Sequence, residues 1–224
     1  MTLAHLRREN GFTLMELLVA ATMTVVVLGG SVALTSQIQN GYRKQIEDSA
    51  GEQEARYALE WIGRSLRTVG NNPHNIPQDN ALLYVSACPP AGVFTPLVIS
   101  PTSITLQSDN NPPDGRIGGP AGTCTQSGEN VTISYDAAQS AITFNDLAVG
   151  TGATVRTDAV IGGLQFKYYP STGIDPLNEI TDMTQSGAVF YVQTIITIRS
   201  RTVNPLTGLP NTRTVTSETR VRGR

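Results

Sequence analysis

The side chain best placed for chemistry is a carboxylate in apolar surroundings. Glu16 is the one charged residue in the 21-residue run from Leu14 to Leu34. A charge in such a setting costs roughly 3 kcal/mol or more without a partner, so it marks a function by default. None of the next 26 residues, up to Arg43, is cationic. The countercharge must therefore come from another molecule, or from a new α-amino group made by cutting the chain nearby.

Other reactive types are sparse. Past the apolar run His74 is the lone histidine, in a Pro-flanked loop where it reads as a surface group. This argues against a Ser-His-Asp triad and a histidine metal site, and no phosphate-binding glycine motif is present. Cys88 and Cys124 stand 36 residues apart in loops rich in Pro, Gly and Thr. Two thiols with so little histidine around them do not complete a zinc site, and there is no Cys-x-x-Cys pair. They read as a structural disulfide, with two buried free thiols as the alternative. A disulfide requires an oxidising compartment and, for a loop of this length, contributes roughly 3 to 4 kcal/mol.

Asp109, Asn110, Asn111 and Asp114 make an oxygen-rich loop that lacks the spacing and closing Glu of a calcium-binding EF-hand. A solvated turn is the expectation, and no metal or cofactor is expected. The net charge of −2 conceals an asymmetry: residues 70–198 hold ten acidic and three basic side chains, whereas 199–224 hold six Arg against Glu218. Arg199, Arg201, Arg213, Arg220, Arg222 and Arg224 alternate along segments rich in Thr and Ser. They read as a solvent face, with contact to the acidic middle of a neighbouring copy or to nucleic acid as alternatives.

The elements that must position Glu16 follow from patterning. Leu14–Leu34 is long enough to cross about 30 Å of hydrocarbon as a helix. The segment before it carries His5, Arg7 and Arg8, so the positive-inside bias keeps this end in the cytoplasm and exports the rest. Ser31-Val32-Ala33 would serve as a secretory cleavage site, but the apolar run is too long for a signal peptide core and contains Glu16. No proline follows until Pro73. Ala55, Leu59, Ile62, Leu66 and Val69 recur at three- and four-residue intervals, an amphipathic stripe predicting one helix from Phe12 to about Val69. Gly29, Gly30 and Gly41 are its weak points, read as small-residue packing or as sites where the helix bends. Trp61 and Tyr57 read as core or interface aromatics.

Gly70 to Pro77 stops the helix. Beyond it the period becomes two, predicting strands at 82–87, 97–107, 131–135, 141–147, 161–169, 189–199 and 213–221. A long helix followed by antiparallel strands is an α+β arrangement.

The run Gly11-Phe12-Thr13-Leu14-Met15-Glu16-Leu17, after a short basic leader and before a long apolar helix, resembles the N-terminal signal of type IV pilins and pseudopilins. The resemblance implies a pilin-like fold and a non-enzymatic filament subunit. It implies that a prepilin peptidase cuts between Gly11 and Phe12 and methylates the new Phe12 amine. Glu16 would then neutralise the amine of an adjacent subunit. The implied organisation is a leader at 1–11, a membrane and filament-core helix at 12–34, an amphipathic spine at 35–70 and a β-rich head at 71–224. The implied location is the inner membrane, N-terminus inside, and then a surface filament; the implied partners are other major and minor pilins and the inner-membrane assembly platform. The segments Glu52–Gly70, Ala159–Tyr169 and Val192–Ser200 resemble PilW-like minor pilins. The rivals are a minor pseudopilin of a type II secretion system and a signal-anchored periplasmic binding module.

Overall fold

The computed structural model describes residues 11–76, 94–120, 123–150, 152–158, 161–203 and 207–221, the side chains of 201 and 202 excepted. The fold is α+β: one long apolar-to-amphipathic helix followed by antiparallel sheets, the layout of a type IV pilin-like fold.

Helix α1 (Leu14–Thr68) runs unbroken through Gly29, Gly30 and Gly41, where an added Cβ would meet nothing within 4 Å. It ends as the sequence pattern demands. Gly70 takes a positive φ of 75°, which costs glycine little, and its N–H is captured by the Gln107 carbonyl at 3.0 Å. The chain divides into two compact units, one ending at Ile46 and one opening at Glu47. In the first, α1 has an 18-residue window of mean hydropathy 2.2 with none of it buried, long and apolar enough to cross a membrane.

In the second unit α1 buries Ala55, Ala58, Leu59, Ile62 and Leu66, the predicted stripe with Ala58 added. The strands are β1 (Leu97–Ile99), β2 (Ser103–Gln107), β3 (Asn130–Asp136), β4 (Ala141–Asp146), β5 (Ala153–Val155), β6 (Ile161–Tyr169), β7 (Tyr191–Val203) and β8 (Pro210–Arg220). They form a five-stranded sheet ordered β1-β2-β3-β4-β5 and a three-stranded sheet ordered β6-β7-β8, every pairing antiparallel. Inward residues of both sheets join the helix stripe in one core, among them Ile104, Ile133, Ile142, Phe166, Val192 and Ile196.

The stretch predicted as one strand over 97–107 is two, because Pro101 has no N–H to give a ladder and the chain turns there. Strand β5 falls outside the predicted spans. The predicted strand at 82–87 lies outside the described residues. Tyr168 ties the sheets together: fully buried, its hydroxyl donates to the Ser100 carbonyl at 2.6 Å and accepts the Ser100 N–H at 3.2 Å. Burial pushes the phenol well above its ordinary range, so the hydroxyl keeps its proton.

Candidate functional site

The candidate site is the first turn of α1. Four N–H groups at a helix start lack intrahelical acceptors, and side chains that supply them fix where the helix begins. Thr13 and Glu16 do this reciprocally. The Glu16 N–H donates to Thr13 Oγ1 at 3.3 Å, and Glu16 Oε2 accepts both the Thr13 N–H and the Thr13 hydroxyl at 3.1 Å. This is a capping box, with the carboxylate at the positive end of the helix dipole. These donors are neutral, so the cap supplies hydrogen bonds to one oxygen and no countercharge, while Oε1 takes no hydrogen bond among the described residues. The Thr-x-x-Glu spacing carries this signal in the sequence, where the question of countercharge overshadows it.

Around the box the surface is apolar. Phe12, Leu14, Met15 and Leu17 are all exposed, as is the Gly11 position. Both residues of the Gly11-Phe12 bond are exposed beside the capped helix. A cut there would put a cationic amine one residue before the Thr13 N–H that Glu16 already accepts.

Residues 6–32 match the family model for the prokaryotic N-terminal methylation motif. That match spans Gly11, Phe12 and Glu16 and supports a type IV pilin- or pseudopilin-like precursor. The motif suggests a structural subunit and implies processing by a prepilin peptidase. No curated protein and no solved structure matches the chain.

The other candidate residues scatter. Cys88 lies outside the described residues, as do Arg222, Arg224 and the Arg201 side chain. Cys124 is half-buried in a left-handed conformation, φ 40°. His74 is exposed, its Nε2 3.2 Å from the Pro113 carbonyl, a bond that requires the Nε2–H tautomer. Trp61 packs edge-on against Phe144 at 6.1 Å between centroids, and the Arg156 guanidinium lies 4.5 Å over that ring. Tyr57 is exposed.

The oxygen-rich loop is not the solvated turn expected. Asn111 and Asp114 are exposed, but Asp109 is fully buried, accepting the Asp114 and Gly115 N–H groups. Beside it Glu129, also fully buried, accepts the N–H groups of Asn110, Asn111 and Gly118 at 2.8 to 3.0 Å. Burial pushes the Glu129 carboxyl above its ordinary value against the pull of those donors, with the Asp109 charge adding to the rise. The carboxylates hold the loop's own backbone, and among the described residues no cluster of three His, Cys, Asp or Glu could take a metal.

The described arginines of the C-terminal set, Arg199, Arg213 and Arg220, are exposed, and Arg213 also has partners on the helix, pairing with Glu52 and with Asp48 at 3.9 Å.

Proposed function

We propose that the chain is a minor pilin. It is held in the inner membrane by α1 with its N-terminus in the cytoplasm, cut between Gly11 and Phe12, N-methylated on Phe12 and assembled into a type IV pilus. In the filament the apolar helices pack together, and Glu16 pairs with the Phe12 amine of a neighbouring subunit. The observation that carries the reading is the methylation motif on the start of a long apolar helix, with Glu16 in its first turn. The chemistry agrees: Glu16 Oε1 is open to an ammonium group, and a pair formed away from water is stronger than one on a wet surface.

The head, from about residue 71, is exported. A Cys88–Cys124 disulfide fits an oxidising compartment, and no free cysteine occurs among the described residues. The spine and core-strand resemblances favour a PilW-like subunit near the filament tip that primes assembly with other pilins on the inner-membrane platform.

Intact mass and N-terminal sequencing of protein from membranes and from sheared filaments test the reading. A chain beginning at N-methyl-Phe12 in the sheared fraction is expected. A chain beginning at Met1, or at Leu34 after Ser31-Val32-Ala33, overturns it.

A further inference from the structure

The helical turns that open the second unit are held to the head differently from those that follow. From Ala55 onward α1 is anchored by apolar burial. From Glu47 to Glu54 the only buried residue is Gly51, and the segment contains no apolar side chain larger than that of Ala50, which is exposed. Beyond the close approach of Gly51 to Ile198, the holding among the described residues is polar. Arg213 of β8 reaches the Asp48 and Glu52 carboxylates, one helical turn apart, and Glu54 accepts the Asp158 N–H at 3.2 Å. Glu47 is a liability here, since its Oε2 is buried with no hydrogen-bond partner among the described residues. Local stability follows buried apolar contact, so this stretch should be the first part of the helix to leave the sheet.

We infer that Arg213 is an electrostatic latch that decides how much of α1 belongs to the head. Closed, it holds the helix against the β7–β8 hairpin from Glu47 onward. Open, Glu47–Glu54 comes away as a unit, relieving the Glu47 oxygen, while the core from Ala55 stays packed. The Arg213 side chain is 60% exposed and its partners about a third, so salt or a competing charge on another molecule can reach the latch.

Hydrogen exchange on the full-length protein in detergent tests this, comparing wild type with Arg213→Ala and with the double variant Asp48→Asn, Glu52→Gln. Amides of residues 48–54 are expected to exchange roughly five- to tenfold faster in both, with Leu59–Leu66 and strands β6 and β7 unchanged. Wild type in about 1 M salt, where screening acts over about 3 Å, should move the same way. Unchanged exchange at 48–54 in either variant, or an equal rise across Leu59–Leu66, overturns the latch.

Discussion

Gly51 of the helix lies so close to Ile198 of β7 that a Cβ on residue 51 would stand 2.8 Å from the Ile198 Cγ2 methyl. Twelve residues on, Gly63 makes a similar approach, its Cβ position 3.2 Å from Thr219 Oγ1 on β8. These two glycines let α1 settle on the three-stranded sheet at short range.

Replacing Gly51 by Ala sets two effects against each other. Helix propensity improves by about 1 kcal/mol, but an overpacked contact against a stiff β-branched side chain costs about 1 to 3 kcal/mol. Packing should win: Gly51→Ala is expected to lower head stability by about 1 kcal/mol and Gly51→Val by more, read as Tm. Gly41→Ala, where a Cβ meets nothing, should not lower it. A rise in Tm for Gly51→Ala would mean that Ile198 yields.

Tyr168→Phe removes one hydroxyl and leaves both the N–H and the C=O of Ser100 without it. Loss of the pair at a buried site is expected to cost about 2 kcal/mol, measured by denaturant unfolding with an unchanged m-value. A cost near zero would show that Ser100 is served by water instead.

Glu129 gives a pH dependence of definite sign. Its folded pKa lies above the ordinary 4.5, so the folded head binds the proton more tightly than the unfolded chain does. The stability this provides is full below about 4.5 and is lost as pH rises through the folded pKa. Glu129→Gln lacks the titration and turns an amide N–H₂ or oxygen on three N–H donors, costing about 1 to 3 kcal/mol. The stability gap between wild type and variant should widen on acidification toward pH about 4.5; a narrowing gap would mean the charged form is favoured by the fold.

Much of this is legible in the residues. The stripe from Ala55 to Val69 is wholly buried, and α1 ends within two residues of each predicted boundary, because an apolar run and a 3.6-residue period are local properties. Strand β6 matches its predicted span to the residue for the same reason. Features resting on distant partners are not legible. Arg213 looks like any arginine on a Thr-rich strand until the fold brings Asp48 and Glu52 to it from more than 160 positions away. Gly51 reads only as a helix penalty until Ile198 explains it. Glu129 looks like a surface acid, since nothing in its neighbours announces the three N–H groups that bury it. At the candidate site Gly11, Phe12 and Glu16 stand out by local pattern and lie inside the segment that matches the methylation motif, whereas Thr13 is overshadowed by the basic segment before it and the charge after it.

The two roles open to Glu16, helix cap and countercharge, can be separated by choosing which one to remove. Glu16→Gln keeps an oxygen for the Thr13 hydroxyl and N–H but loses the charge. Thr13→Val keeps the charge and the Thr13 N–H bond but loses the hydroxyl that closes the box, at a cost of about 1 kcal/mol to the first turn. If assembly depends on an ion pair with the Phe12 amine, Glu16→Gln should be cleaved and remain in the membrane fraction, absent from sheared filaments. Thr13→Val should be cleaved and incorporated at a level nearer to wild type. The reverse pattern, with Glu16→Gln recovered in sheared filaments and Thr13→Val absent from them, would make the helix cap the requirement and remove the ion pair from the mechanism.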